Sequence, residues 1–259
     1  MGQLANTGKQ IIVSLTSFPK RIGNLWIVIE TLLRQTIVPN KIILWLSKDQ
    51  FPEGLANLPD SLISQQNDVF EIRFVEGDIR SHKKYLYSFR EFPNEYVITV
   101  DDDIMYPPTM IESLLKSKAE HPDNVICRYG FIMQYDKVGN TLGFSKWIED
   151  YEMGSANFCF GSGGGTLFVP KDLYEDVTNI ELALKLAPLA DDLWLNAMTF
   201  LAGAKNLVIS KDLLMPVLTK GNERLCDVNV GANKNDEQLF NIIDYYTNKL
   251  NVNPFARQV

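Results

Sequence analysis

Short apolar runs alternate with polar, turn-rich stretches along the first hundred residues. Gln10-Ile-Ile-Val-Ser-Leu15 ends in Thr16-Ser17-Phe18-Pro19, the pattern of a buried strand entering a loop. Leu25 to Leu33 places apolar residues at helical spacing, and Pro39-Asn40 stops that segment. Lys41-Ile-Ile-Leu-Trp-Leu46 predicts a second buried strand. After a stretch broken by Pro52, Gly54 and Pro59, Phe70 to Val75 alternates as a third strand. Lys84 to Phe92 predicts a helix that ends before Pro93. Tyr96-Val-Ile-Thr-Val100 is β-branched and stops abruptly at Asp101-Asp102-Asp103. This βαβαβαβ order predicts an α/β fold, a mostly parallel central sheet with helices on both faces. Ligands of such sheets bind beyond the carboxyl ends of the strands. The loops after Leu15, Leu46, Val75 and Val100 should therefore line one crevice.

The second half is less regular. Helices are expected over Pro108 to Glu120, Asp172 to Val177, Ile180 to Leu186, Asp191 to Leu201 and Asp236 to Leu250. A glycine-rich loop, Gly161-Ser-Gly-Gly-Gly165, leads into a strand, and Asn206 to Ile209 predicts another. Val125 to Trp147 mixes aromatics with turns. Lys220 to Asp236 is polar and rich in Asn and Gly. No repeat or linker divides the chain, so residues 1–259 are expected to form a single domain.

Composition narrows the classes. Hydrophobic residues make up 46% and charged residues 22%, which excludes a disordered or collagen-like chain. The net charge of −7 argues against nucleic-acid binding and against a broad polybasic membrane patch. It leaves room for an anion held through a metal. Three distant cysteines, Cys127, Cys159 and Cys226, suggest neither a disulfide framework nor a CxxC site and fit a reducing cytoplasm. Only His82 and His121 are present, which disfavours histidine-rich zinc sites and most serine-hydrolase triads. No window predicts a membrane span, and MGQLANTGKQ lacks the apolar core of a secretory signal.

The aspartate triplet carries the sharpest chemistry. Three carboxylates with no basic neighbour in the run repel each other, and a divalent cation relieves the conflict. Alternate side chains point the same way, so Asp101 and Asp103 can converge on Mg²⁺ or Mn²⁺, which favour oxygen ligands. The plainer reading is a solvated acidic turn. For Lys83-Lys84 it is solvated charge. The glycine loop is neither GxGxxG nor a P-loop, and reads as close backbone approach to a ligand or as a flexible turn. Asp191-Asp192 opens a helix. A carboxylate there can take a proton from a hydroxyl, or simply cap the helix. Lys220, Arg224 and Lys234 read as a solvated loop or as a lid. Tyr129, Tyr135, Trp147 and Tyr151 read as core or as aromatic faces open for stacking.

Val100-Asp-Asp-Asp-Ile-Met-Tyr-Pro107 and Ile12-Val-Ser-Leu-Thr-Ser-Phe-Pro-Lys-Arg21 together resemble the GT-A nucleotide-sugar glycosyltransferases. They are especially similar to members that assemble bacterial capsule and lipopolysaccharide. The resemblance covers Gln10 to about Leu214. It implies a Rossmann-like GT-A fold with a nucleotide-binding half at about residues 10–107 and an acceptor-side half at about 108–259. It implies a metal, Mn²⁺ or Mg²⁺, bound by Asp103 and by Asp101, which alternatively binds the ribose, with Asp102 beside the ribose. Thr16, Ser17, Phe18 and Arg21 would hold the nucleoside, Phe18 against the base and Arg21 on a phosphate. Lys84 would reach the diphosphate. Gly163 and Gly164 would lie under the donor sugar or at the acceptor entrance. Asp192 would be the catalytic base, with Asp191 its alternative. The implied reaction moves a hexose from a nucleotide-sugar, foremost a UDP-sugar, to a hydroxyl of a glycan or lipid-linked glycan. The implied setting is cytoplasmic, and a lipid-linked acceptor would bring a small apolar patch against the inner face of the membrane.

Two features depart from the family. Ser47, with Asp49 later, follows the second strand where many members carry an aspartate, and no C-terminal histidine offers a third metal ligand. Two other readings stay open. A sugar nucleotidyltransferase would normally carry a glycine-rich basic loop in place of Thr16 to Arg21. A carbohydrate-binding module would not need both a carboxylate triplet and a distant acidic pair.

Overall fold

The apolar runs become strands wherever both of their faces are covered. The computed structural model describes residues 3–4, 7–149, 152–210, 215–217 and 234–257. Its central sheet has seven strands: β1 (Ile11–Thr16), β2 (Lys41–Ser47), β3 (Phe70–Val75), β4 (Tyr96–Val100), β5 (Val125–Cys127), β6 (Gly164–Phe168) and β7 (Asn206–Val208). Their spatial order is β7-β5-β6-β4-β1-β2-β3. β6 runs antiparallel to both of its neighbours, and every other pairing is parallel. β1 lies between β2 and β4, with Ile12 opposite Lys41 on one side and Val97 on the other.

Strict alternation divides each buried strand between two apolar layers. On β1, Ile12 joins one layer while Ile11, Val13 and Leu15 join the other. On β2, Ile43 and Trp45 oppose Ile42, Leu44 and Leu46. A strand covered on both sides therefore reads as a continuous apolar run. The helices α1 (Leu25–Leu33) and α3 (Met110–Glu120) cover one face. The other is covered by α2 (Lys83–Glu91), α4 (Ile180–Leu186), α5 (Asp191–Leu201) and α6 (Lys234–Leu250).

One polar chain crosses that second layer. Trp45 Nε1 donates to Ser88 Oγ (2.9 Å), Ser88 Oγ meets Ser14 Oγ (2.7 Å), and Ser14 Oγ donates to the Lys84 carbonyl (2.6 Å). Each buried hydroxyl is satisfied, and the first turn of α2 is seated on the sheet.

Some expectations change. Asp172 to Val177 is not a helix but parts of two 3₁₀ turns, Pro170–Asp172 and Glu175–Thr178. Extended backbone at Leu173 and Tyr174 separates them. The aromatic, turn-rich stretch that starts at Val125 hides β5 in its first three residues, and the glycine loop contributes two of its own residues to β6. Tyr151, Lys220, Arg224 and Cys226 lie outside the described residues.

Candidate active site

The chain leaves β1 towards β2 and β3, whereas after β4 it builds β6, β5 and β7 on the other side. The carboxyl ends of β1 and β4 thus flank the point where strand order reverses, the usual ligand crevice of open α/β sheets. Thr16 to Arg21 and Asp101 to Asp103 emerge there.

Asp102 points inward. Its carboxylate accepts from Ser17 Oγ (2.6 Å) and Arg21 Nη1 (2.7 Å), so it ties the β1 loop to the end of β4. Burial pushes its carboxyl up from the usual range against the opposing pull of Arg21 and Ser17. The same Arg21 nitrogen lies 2.9 Å from Asp103 Oδ2, and its guanidinium sits 5.4 Å from the centre of the Phe18 ring. The Thr16 hydroxyl donates to the Trp45 carbonyl (2.7 Å). The Asp103 carbonyl accepts from Val217 N–H (2.8 Å) where Met215–Pro216 pairs with Ile104–Met105.

Asp101 turns the other way. Its Oδ1 meets Lys84 Nζ at 2.9 Å, and the same ammonium lies 3.0 Å from Asp191 Oδ2. Lys84 is buried, not a solvated surface charge. Burial opposes its charge, but Asp101, Asp191 and Asp192 overcome that and hold the ammonium well above its ordinary range. Lys83 is buried as well, paired with Asp78. The Asp101 N–H donates to Tyr106 Oη (2.7 Å) and to the Gly163 carbonyl (3.1 Å), and Tyr106 Oη donates to that same carbonyl.

The glycine loop approaches the protein's own side chains. A Cβ on Gly163 would lie 1.7 Å from Asp101 Oδ2, and one on Gly164 would lie 2.6 Å from Tyr129 Cβ. Gly165 takes φ +95 where the register of β6 shifts. Ser162 sits directly ahead of these glycines. Its N–H donates to Asp192 Oδ1 (2.7 Å), its hydroxyl donates to Asp191 Oδ2 (2.9 Å), and its carbonyl accepts from Thr99 Oγ1 (2.7 Å).

Asp191 and Asp192 occupy the first turn of α5 behind Ala190, and neither is the N-cap. Their environments differ. Burial raises the Asp191 carboxyl, but Lys84 outweighs it and holds the group well below the usual range. Asp192 is half-buried, and burial together with the Asp191 charge pushes it up to about 6. Adjacent carboxylates with divergent pKa values are the signature of divided acid and base roles.

Ser17, Arg21, Lys84, Asp101, Asp102, Asp103, Gly163, Asp191 and Asp192 therefore join in one contact network. Thr16, Phe18 and Gly164 border it. Ser162 and Tyr106 were not singled out in the sequence, where only their positions beside Gly163 and after the triplet pointed to them. The triplet is not the unpaired cluster its sequence suggests, because Lys84 and Arg21 reach it from distant segments. Among the described residues no group of three or more His, Cys, Asp or Glu could hold a metal ion. The donor chemistry still suits a hard divalent cation. Asp101 and Asp103 expose 41% and 27% of their side chains. Five carboxylates (Asp101, Asp102, Asp103, Asp191 and Asp192) outnumber the cations Lys84 and Arg21. Magnesium and manganese are commonly held by one or two carboxylates plus water and substrate phosphate.

No protein-family model and no curated protein sequence matches the chain. Solved structures do match in fold. TarS 1–349 from S. aureus, in complex with UDP-GlcNAc, aligns with TM-score 0.57 at 14% identity over 92% of this chain and 67% of that one. The mannosyltransferase PcManGT from Pyrobaculum calidifontis, in complex with GDP-Man and Mn²⁺, gives 0.52 at 11% identity over 96% and 67%. The 4-diphosphocytidyl-2C-methyl-D-erythritol synthase from Anaerococcus prevotii gives 0.53 at 15% identity over 87% and 99%. The chain has the GT-A-like, Rossmann-type α/β fold shared by these nucleotide-sugar transferases and this nucleotidyltransferase.

Proposed function

We propose that the protein is a metal-dependent glycosyltransferase that moves a sugar from a nucleotide-sugar, foremost a UDP-sugar, to a glycan hydroxyl in cell-surface polysaccharide synthesis. The observation that carries this reading is the Lys84 ammonium shared between Asp101 and Asp191. It joins the carboxylates of the donor crevice to an acidic pair whose second member is half-buried and shifted to about 6. TarS and PcManGT, with the same fold, were solved with nucleotide-sugars bound.

On this reading Asp101 and Asp103 hold Mn²⁺ or Mg²⁺, which when bound neutralises the charge of the departing nucleoside diphosphate. Phe18 and the β1 loop receive the nucleoside. Asp191, locked by Lys84 and Ser162, stays an anion and does no proton transfer. Asp192 takes the acceptor's proton, with the Ser162 N–H fixing one oxygen and leaving the other for the hydroxyl. On this reading the transfer inverts the anomeric carbon, which NMR of the product tests.

The fold neighbour from Anaerococcus prevotii supports a second reading, a sugar nucleotidyltransferase. The β1 loop of this chain has no glycine from Thr16 to Arg21, which disfavours it. Products decide. A panel of nucleotide-sugars with Mn²⁺ should release nucleoside diphosphate, whereas release of pyrophosphate from a nucleoside triphosphate and a sugar phosphate would establish the second reading. Asp192→Asn should lower turnover about 10²–10⁴-fold with donor affinity unchanged. Full turnover in that variant removes Asp192 from the mechanism.

A further inference from the structure

His82 is fully buried at the end of the 3₁₀ turn Arg80–His82, directly ahead of Lys83 and Lys84. Its Nε2 lies 2.8 Å from the Ala187 carbonyl, 105 residues away, and its Nδ1 lies 3.0 Å from Tyr85 Oη. A carbonyl only accepts, so Nε2 carries the proton and Nδ1 accepts from the tyrosine hydroxyl. The tautomer is thereby fixed by its neighbours. Ala187 is the C-cap of α4, and Ala187 to Ala190 is the segment from which Asp191 and Asp192 start. Leu189 N–H in the same segment donates to the buried Gln238 Oε1 of α6 (2.7 Å). Burial and the nearby lysines lower the imidazole pKa against the pull of Asp191 and of the Ala187 hydrogen bond, which favours the neutral ring.

We propose that His82 is a positioning residue for Asp192, acting through the Ala187 carbonyl to fix where α5 begins relative to Lys84. This rests on Asp192 as the base. The physical reason is geometric. The segment 187–190 is irregular backbone, held by Ala190 N–H on the Ala187 carbonyl (3.3 Å) and Leu189 N–H on Gln238, and it must deliver one carboxylate to Lys84 and the next to the crevice. The His82–Ala187 bond ties the start of this segment to the turn that carries Lys84, while the Lys84–Asp191 ion pair holds its far end. A misplacement of about 1 Å at a catalytic group costs on the order of 10² in rate.

The test uses two polar replacements of different length. His82→Gln places its amide N–H where Nε2 was and keeps the bond to Ala187. His82→Asn reaches only the Nδ1 position, so it keeps the Tyr85 contact and loses Ala187. Hydrogen exchange of the peptide spanning 187–193 should rise in His82→Asn and stay at the wild-type rate in His82→Gln, with the central sheet unchanged in both. Turnover should fall about 10²-fold in His82→Asn at unchanged donor KM, and Gln should restore it to within a few-fold. Wild-type exchange at 187–193 in His82→Asn overturns the proposal, as does a Gln variant as impaired as Asn. An active Asp192→Asn variant would show instead that the base assignment is wrong, and the exchange measurement then decides the role of His82 by itself.

Discussion

Asp191 and Asp192 are chemically identical neighbours whose surroundings assign them opposite behaviour. Lys84 keeps Asp191 ionised, whereas burial and the Asp191 charge keep a proton on Asp192 up to about pH 6. If Asp192 must be ionised to act, kcat/KM should rise with pH and level off above about 6, and Asp192→Asn should abolish that limb. A flat profile from about pH 5 to 8 would count against the assignment. The two shifts also act on stability with opposite sign. Asp191, depressed in the fold, contributes stability above its unfolded pKa that is lost as pH falls towards its folded one. Asp192, raised, contributes stability at low pH that is lost as pH rises through about 6. Lys84 serves both carboxylates, so its removal is not a surface change. Lys84→Met leaves Asp191 buried without its cation and should cost roughly 3–5 kcal/mol in denaturant unfolding. A loss below about 1 kcal/mol would return Lys84 to a dispensable contact.

At the scale of elements, the strands were legible where alternation put apolar residues on both faces, as in β1 and β2. β5 was not, because three residues give no measurable period. The glycine loop was legible as a place of close approach, but not what approaches it. A Cβ at Gly163 meets the carboxylate of Asp101, the end of a partly exposed side chain and not backbone. Gly163→Ala should therefore spare the fold, moving the melting midpoint by only a few degrees, while swinging Asp101 away from Lys84. Mn²⁺ binding, read by electron paramagnetic resonance, should weaken about tenfold or more. Wild-type Mn²⁺ affinity in that variant would separate Asp101 from the metal. The helix α2 teaches the complementary lesson. Its seat depends on Ser14, Ser88 and Trp45, three residues with no motif, joined only when β1, β2 and α2 pack. Lys84 looked like ordinary solvated charge because its partners, Asp101 and Asp191, sit on segments far along the chain.

Across the whole molecule, the fold gathers negative charge at one point. The parallel sheet of the first half was implied by the βα alternation, and so was a crevice beyond the carboxyl ends of its strands, whereas the strand order and the antiparallel β6 were not. The cross-links that neutralise part of its charge, Arg21 to Asp102 and Asp103 and Lys84 to Asp101 and Asp191, were not, because each spans elements far apart in sequence. After both cations are counted, the site still carries surplus carboxylate. A nucleoside diphosphate adds more negative charge, so its binding without a divalent cation is opposed. UDP and Mn²⁺ should therefore bind with strong positive coupling. Calorimetry should detect UDP readily with Mn²⁺ present and weakly or not at all after chelation, and Asp103→Asn should reduce the coupling. Linkage requires the reciprocal effect, UDP tightening Mn²⁺ by the same factor, which provides an independent check. Arg21 sharpens the expectation. Its Nη1 contacts Asp103, so an incoming cation competes with it there while Asp102 retains it. Arg21→Gln should then tighten Mn²⁺ measured without nucleotide and weaken UDP measured with it. UDP binding that is equally strong with and without metal, in the wild type, would remove the cation from the reaction and leave Arg21 and Lys84 as the groups that face the diphosphate.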